Sequence, residues 1–272
     1  YSPVTGPRLL CAGDAGLRTE LLRALESFAS EHRLSGAHIN FRPIEDVPDG
    51  AWLARTDLQF HWHNTGYACF EDFLAALSSK KRKNLRQERA QVARAGIRLR
   101  RVHGDAASEE EIAVAHRLYC RTFDDKGNHA ALTLDFFRHL ARALGRGLLL
   151  VLAERGDEVI AMALCLRSAD TLYGRYWGCF EEVPGLHFEC CYYQGIEYCI
   201  EQGLKRFEPG AQGEHKLARG FLPTATHSSH FLPMAAFREA VARSLEDERR
   251  WLAQYRQELL AHSPYRQDGS QG

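Results

Sequence analysis

Three consecutive apolar segments joined by very short connections constrain the fold of this sequence more than any other feature. They run from Gly147 to Ala153, from Glu158 to Leu166 and from Thr171 to Phe180. Gly-Asp and Ala-Asp occupy the two connections, and short polar connections between runs of this length are typical of hairpins. The sequence therefore predicts three antiparallel strands in a row.

Segments with helical spacing and further short strands surround these three runs. A capping box begins one helix, because Ser108 is followed three residues later by Glu111. The predicted helices are Ala15–Glu31, two within Cys69–Ala95, Ser108–Phe123, Leu132–Leu144, His187–Gln202 and Ala235–Ala261. The further strands are Gly6–Cys11, Ala37–Phe41, Leu58–Asn64, Ile97–Val102, Leu204–Phe207 and His227–Leu232. Helices over a mainly antiparallel, partly parallel sheet predict a mixed α/β fold.

The order strand, helix, strand, loop, strand occurs twice, in Gly6–Asn64 and in Thr171–Leu232. We interpret this as two related units in tandem, the first lacking its front half. The sequence begins at Tyr1 rather than at a methionine, and we expect a preceding portion to be missing. The predicted divisions are an incomplete first unit at 1–66, connecting basic helices at 67–96, a second unit at 97–232, and a C-terminal helix and tail at 233–272.

Composition excludes several classes of function. Lys and Arg number 35 and Asp and Glu also number 35, so no global field attracts nucleic acid or an anionic membrane. The apolar runs are too short to span a bilayer. The eight cysteines lack metal-ligand spacing and lie mostly in apolar stretches, which predicts free thiols and a cytoplasmic protein. His61 and His63 share a strand face without further ligands, so we expect no metal site.

Basic residues are concentrated between Lys80 and Arg94 in an otherwise neutral sequence. One interpretation is a solvated helix face. The other is a cradle for phosphate, belonging either to a nucleotide-type cofactor or to an RNA backbone.

The candidate site is the segment from Lys205 to Pro223, where a short apolar strand enters a polar turn punctuated by glycines. Glycine permits left-handed backbone and close approach to a ligand, and the polar groups offer acids, a base and cations. A solvated surface loop is the alternative. The polar residues of this segment are Glu208, Gln212, Glu214, His215, Lys216 and Arg219.

Several blocks of the sequence resemble a known family. The segment SSKKRKNLRQERAQVARAGI resembles the S-K-x-R-x-N-x-R-x-A-x-x-x-G segment of FemAB-type peptidoglycan aminoacyltransferases. The blocks QFHW, LYGRYWGCF and HFECCYYQGIEYCIEQGLKRFEPGAQGEHKLARGFLP resemble the FemAB-like family of predicted N-acyltransferases of peptidoglycan biosynthesis or recognition. The element order from residue 97 onward is also that of the GCN5-related N-acetyltransferase (GNAT) fold.

This resemblance implies two tandem GNAT-like units and transfer of an acyl or aminoacyl group to the amine of a small molecule or peptide. No cofactor is expected to be bound permanently, and the donor would be an acyl-CoA or an aminoacyl-tRNA. The long helical arm with which FemAB enzymes contact transfer RNA has no counterpart in the sequence, which argues against the second donor. The alternative is a non-catalytic module that binds cell-wall fragments or a protein partner. The sequence does not predict an oligomeric state.

Amine acylation requires a base, a group that polarises the carbonyl and an acid for the leaving group. The position of the GNAT pyrophosphate loop is Gly178–Phe188, where Glu181 and Glu182 would repel a pyrophosphate. The catalytic candidates are Glu208, Glu214, His215 and Glu189. The substrate-binding candidates are Gln212, Gly213, Lys216, Arg219, His61 and Tyr192. For His61 the alternative is a structural role, and either Tyr192 or Tyr193 is the candidate proton donor to a leaving group. The cofactor-binding candidates are Gly178, Gly185 and His187.

Overall fold

The computed structural model describes residues 3–46, 48, 50–211 and 213–266, and within them it confirms the predicted mixed α/β fold. The helices are α1 (Ala15–Glu31), α2 (Phe70–Ala76), α3 (Ser79–Arg94), α4 (Glu109–Asp124), α5 (Leu134–Leu144), α6 (Leu186–Phe188), α7 (Gln194–Glu201) and α8 (Ala235–Ala261). The strands are β1 (Ala37–Arg42), β2 (Trp52–His63), β3 (Ile97–His103), β4 (Leu148–Arg155), β5 (Glu158–Arg167), β6 (Thr171–Cys179), β7 (Arg206–Glu208) and β8 (Leu222–Phe231). A π-helical turn, Glu189–Tyr193, joins α6 to α7, and Gly145–Gly147 and Glu214–Arg219 are short 3-10 helices.

The three apolar runs form the antiparallel strands β4, β5 and β6, as the sequence predicts. Strand β3 pairs antiparallel with β4, and β7 pairs parallel with β6. The end of β2 pairs antiparallel with β7, through Trp62 opposite Phe207 and His63 opposite Arg206. The order in this part of the sheet is therefore β2, β7, β6, β5, β4, β3.

Helices α4 and α5 cover one face of these strands. Leu118 and Tyr119 of α4 and Phe137 of α5 pack with Leu150 and Met162 of the sheet in one buried cluster. The capping box predicted at the start of α4 is confirmed, because Ser108 and Glu111 exchange side-chain and backbone hydrogen bonds.

Contacts divide the described residues into two compact units, one within 60–222 together with the described residues after 262, and the other within 1–59 and 223–262. The smaller unit has its own core, in which Leu22 and Ala29 of α1 pack with Ile39, Trp52 and Phe231. Helix α8 belongs by its contacts to this smaller unit. The predicted tandem relationship between two GNAT-like units stays a prediction.

The strand predicted at Gly6–Cys11 is wrong, because this segment is irregular. Pro7 lacks a backbone N–H for a ladder, and the Arg8 side chain instead donates to the Asn40 carbonyl oxygen at 2.7 Å. Strands β2 and β8 also begin earlier than predicted, at Trp52 and Leu222. Among the described helices, none is long and apolar enough to span a lipid bilayer.

Candidate active site

The candidate site lies where β6 and β7 part. The two strands pair only from Thr171 opposite Arg206 to Tyr173 opposite Glu208, after which β7 ends and β6 continues to Cys179. A cavity of about 120 Å³ opens there. Its lining includes Gly174, Arg175, Tyr176, Trp177, His187, Cys191, Tyr192, Pro209 and Gly210.

Pro209 and Gly210 explain why β7 stops. Proline cannot donate to the ladder, and Gly210 turns the chain with a φ of 102°. The chain can pass close to β6 because Gly174 has no side chain, since a Cβ at Gly174 would lie 3.1 Å from the Pro209 Cα. The sequence thus ends the pairing immediately after Glu208, which directly precedes Pro209 in the cavity lining.

Glu208 is a buried carboxylate with only 3% of its surface exposed. Its Oε1 lies 3.1 Å from Arg206 Nε, an ion-pair distance without the orientation of a hydrogen bond. Its Oε2 has no hydrogen-bond partner among the described residues. Burial raises the pKa of Glu208, and the charge of Arg206 opposes that rise. A carboxylate in this state can accept a proton from a substrate.

His61 approaches from β2, the strand that pairs with β7. It is 3% exposed, and burial lowers its pKa to about 3, helped by the charges of Arg206, His63 and Lys216. His61 is therefore a neutral imidazole in the neighbourhood of two cations.

Lys216 lies in the 3-10 helix Glu214–Arg219 and is 3% exposed. Its Nζ donates to the Gly210 carbonyl oxygen at 2.7 Å, and no described carboxylate forms an ion pair with it. Burial lowers the pKa of Lys216 to about 8. A positive charge without a counter-ion beside the cavity is suited to stabilise a negative oxygen.

Tyr192 and His215 form a hydrogen-bonded pair, with 2.8 Å between the Tyr192 hydroxyl oxygen and His215 Nε2. Tyr192 is buried and lines the cavity, whereas His215 is exposed. Burial raises the pKa of Tyr192, while burial and the charges of Arg219 and Lys216 lower that of His215. The pair can therefore pass a proton between the cavity and solvent.

Arg219 holds the polar turn to α3. Its Nε and Nη2 donate to the Glu88 carboxylate at 3.2 and 2.7 Å, and its Nη1 donates to the His215 carbonyl oxygen at 2.9 Å. Its guanidinium carbon lies 3.4 Å from the centre of the Phe188 ring. These contacts occupy all three nitrogens, so we assign Arg219 to positioning the turn.

The Glu189 carboxylate is likewise fully engaged in hydrogen bonds with other side chains. Arg89 donates to both of its oxygens at 3.1 Å, and Gln194 Nε2 donates to Oε1 at 2.9 Å. Arg89 also bonds Glu197 at 3.1 Å, so the group ties α3 to the π-helical turn and α7. We therefore treat Glu189 as a residue that joins helices.

The glycines predicted for a cofactor loop lie close to the backbone of neighbouring helices, which gives each a structural reason to be glycine. A Cβ at Gly178 would lie 2.1 Å from the Leu118 carbonyl oxygen, so glycine is required there by the approach of α4. Gly185 has a φ of 84°, and its Cβ position is 3.3 Å from the Glu88 carbonyl oxygen. His187 does line the cavity, and burial together with nearby cations lowers its pKa to about 4.

The remaining candidates differ in position. Glu214 is exposed at the start of its 3-10 helix, and Gln212 lies outside the described residues. Gly213 has a φ of 113°, and a Cβ there would fall 2.3 Å from the His215 ring, so it gives His215 room.

Sequence reasoning missed Glu88 and Arg89, which it treated as part of a basic run. One signal was available, because Glu88 is the one acidic residue between Lys80 and Arg94. On the same helix Leu85 and Val92 are buried, whereas Lys83 and Arg94 are exposed. Only part of the basic run therefore faces solvent.

Comparisons with known proteins agree with the fold. The sequence model of the FemAB-like family, described as peptidoglycan biosynthesis/recognition, matches residues 1–267. No curated protein matches the chain. The structure is similar to the C-terminal domain (DUF2156) of a putative lysylphosphatidylglycerol synthetase from Agrobacterium fabrum, with 12% identity over 87% of this chain and 78% of that chain and a TM-score of 0.61.

Two further solved structures are similar. L-PGS from Bacillus licheniformis has 12% identity, covers 84% of this chain and 76% of that chain, and gives a TM-score of 0.58. FemX has 10% identity, covers 80% and 77%, and gives a TM-score of 0.54. At these identities the likenesses establish the fold alone.

Proposed function

The chain belongs to the FemAB-like family of peptidoglycan biosynthesis or recognition, and from that premise we propose that it is an N-acyltransferase, which moves an acyl or aminoacyl group onto an amine. The observation that carries the proposal is Glu208, a buried carboxylate with an oxygen that no described residue bonds, which immediately precedes Pro209 in the lining of the cavity where β6 and β7 part. A buried carboxylate oxygen without a hydrogen bond costs folding free energy, so a carboxylate with a purely structural role would be expected to have a partner for both oxygens.

The proposed reaction begins with the acceptor amine beside Glu208. The amine nitrogen attacks the carbonyl carbon of the donor, and Glu208 takes the proton that this nitrogen must lose. The raised pKa of Glu208 favours this step, because a more basic carboxylate is a better proton acceptor.

Lys216 is proposed to stabilise the negative oxygen that develops on the donor carbonyl. Its ammonium is buried and bonded only to the Gly210 carbonyl among the described residues, so a charge in the cavity would meet little competition. Such preorganised donors are typically the largest electrostatic contribution in acyl transfer.

Tyr192 and His215 are proposed to serve the leaving group. When the bond from the carbonyl carbon to the donor sulfur or oxygen breaks, the Tyr192 hydroxyl donates its proton to that atom and recovers one from His215 Nε2, while the exposed His215 ring takes up a proton from solvent at its other nitrogen. Glu208 returns the proton that it took from the amine to solvent when the products leave. The products are the N-acylated amine and the free thiol or alcohol. The donor is proposed to be an acyl-CoA or an aminoacyl-tRNA, and the acceptor a small-molecule or peptide amine.

The proposal is tested by incubating the purified protein with panels of acyl-CoAs and aminoacyl-tRNAs and a library of amines, and by detecting N-acylated products by mass spectrometry. Product is expected with the wild type and much less with Glu208→Gln. Absence of product from every combination, or equal product from both proteins, would contradict the proposal. Binding of cell-wall fragments without turnover would favour the binding-module alternative.

A further inference from the structure

Arg175 occupies an irregular position in β6. Leu164 of β5 pairs with Tyr176, and the next β5 residue, Cys165, pairs with Gly174. Arg175 is therefore the extra residue of a β-bulge and has no partner on β5. Bulges reorient side chains and are common beside active sites.

The guanidinium of Arg175 is not used by the fold. Arg175 is half-buried and lines the cavity, and it makes no hydrogen bond or ion pair with any described residue. Arg89 and Arg219 in the same unit are each bonded to carboxylates. A guanidinium carries five N–H donors and loses part of its hydration when it is half-buried, so an unpartnered one beside a cavity is suited to an incoming acceptor of hydrogen bonds.

The charged residues around the cavity determine which charge on the incoming group is favoured. Its described lining includes no Asp or Glu. Lys216 adds a second positive charge next to Gly210, and the nearby carboxylate of Glu208 is already paired with Arg206. An oxyanion would be attracted here, and a second cation would be repelled.

We propose that Arg175 binds an oxyanion, a carboxylate or a phosphate, carried by the amine acceptor. This inference rests on the proposed N-acyl transfer and narrows its acceptor class. Arg175 is two residues beyond Tyr173, which is paired with Glu208, so the backbone positions of Arg175 and Glu208 are offset by about 7 Å along the strand direction. That separation suits an acceptor whose amine and anionic group are a few bonds apart.

The test compares three small amines with nearly the same skeleton: β-alanine with a carboxylate, 2-aminoethyl phosphate with a phosphate, and β-alaninamide with a neutral amide in place of the anion. Binding to the full chain is measured by calorimetry for the wild type, Arg175→Gln and Arg175→Lys. Arg142→Gln, at an exposed position of α5, is the matched control. Thermal unfolding of each variant checks that it is folded.

The wild type is expected to bind at least one anionic amine more tightly than β-alaninamide. Arg175→Gln should weaken that binding by about tenfold to one hundredfold, the range for a charge-assisted hydrogen bond, and should not affect β-alaninamide. Arg175→Lys should keep more of the phosphate binding than of the carboxylate binding, because only guanidinium forms a planar fork. Whether β-alanine or 2-aminoethyl phosphate binds more tightly shows whether the oxyanion of the acceptor is a carboxylate or a phosphate.

Equal binding of all three amines, no binding of either anion, or unchanged binding in Arg175→Gln would overturn the inference. The transfer assay separates this result from the proposed function. If β-alaninamide is acylated as readily as both β-alanine and 2-aminoethyl phosphate, N-acyl transfer is supported and the proposed oxyanion site is contradicted. If either anionic amine binds through Arg175 but no donor yields product, the oxyanion site is supported and the transfer proposal is contradicted.

Discussion

Arg219 donates two hydrogen bonds to the Glu88 carboxylate, with nitrogen to oxygen distances of 2.7 and 3.2 Å. Glu88 also accepts a hydrogen bond from the Tyr193 hydroxyl. One carboxylate on α3 thus holds both the polar turn that carries Lys216 and the helical segment that carries Tyr192. The arrangement of the candidate site depends on a helix that contributes no group to the proposed reaction.

Replacing Arg219 with alanine is expected to lower the free energy of unfolding by about 2–4 kcal/mol, because Glu88 would lose its charge partner in a partly buried place. Denaturation in urea measures the change. Arg250→Ala is the control, since Arg250 pairs with Asp247 on the exposed face of α8 and should change stability little. Similar stability of the two variants would show that the Glu88 contact contributes little.

Glu208 and Glu214 are close in sequence, but Glu208 is buried and Glu214 is exposed. Substituting each of them therefore tests which carboxylate is the proton acceptor. Glu208→Gln is expected to reduce the rate of transfer by about 10²–10⁴-fold, the usual contribution of a general base. Glu214→Gln should change the rate far less, because Glu214 is exposed. Initial rates with one donor and one amine measure both effects, and the opposite ranking would move the proton acceptor to Glu214.

Glu189 is expected to behave as a structural residue. Glu189→Gln should lower the free energy of unfolding by about 1–3 kcal/mol, because the charge-assisted hydrogen bonds from Arg89 are weakened. The dependence of transfer rate on pH should keep its shape, which a catalytic role would not allow. Stability by urea denaturation and a rate profile against pH provide the two measurements.

Local sequence patterns predicted most of the helices and strands. The strands β4 to β6 follow from apolar runs and short turns, and the start of α4 follows from the capping box at Ser108. The strand wrongly predicted at Gly6–Cys11 shows the limit of local patterns. Its apolar residues are typical of a strand, but in the structure the Arg8 side chain donates to a carbonyl oxygen of β1. Whether such a segment joins a ladder is decided by its neighbours in space.

The candidate site was predictable as a segment but not as a set of contacts. Glycines and polar residues between Lys205 and Pro223 indicated a functional turn. The partner of Arg219 is 131 residues away, so no local pattern connects it to Glu88. The bulge that sets the position of Arg175 depends on the register between β5 and β6, which composition does not determine.

Gly178 is predicted to resist substitution for reasons of packing. In Gly178→Ala the new Cβ would lie 2.1 Å from the Leu118 carbonyl oxygen and 2.6 Å from its carbonyl carbon, both backbone atoms of α4. The variant should lose about 1–3 kcal/mol of stability, as overpacked cores do. Gly147→Ala is the matched control, since its nearest neighbour is the Leu144 Cβ at 3.4 Å. Equal melting temperatures for the two variants would contradict the prediction.

The pH dependence of stability reports on Lys216. Burial lowers its pKa from 10.5 to about 8 in the folded chain, so between these values the unfolded chain binds more protons at this residue. The contribution of Lys216 to the free energy of unfolding is therefore most unfavourable below about pH 8, rises through the window, and levels off above 10.5.

Lys216→Met removes this titration. The unfolding free energy of the wild type minus that of Lys216→Met should rise with pH across the same window, as measured by urea denaturation at a series of pH values. Arg142→Met serves as the control, because a guanidinium stays charged throughout this range and its difference from the wild type should be flat. A flat difference for Lys216→Met as well would mean that burial does not depress the pKa of this lysine. Its ammonium would then be solvated or paired in the folded chain, contrary to the uncompensated buried charge on which its proposed role at the carbonyl oxygen rests.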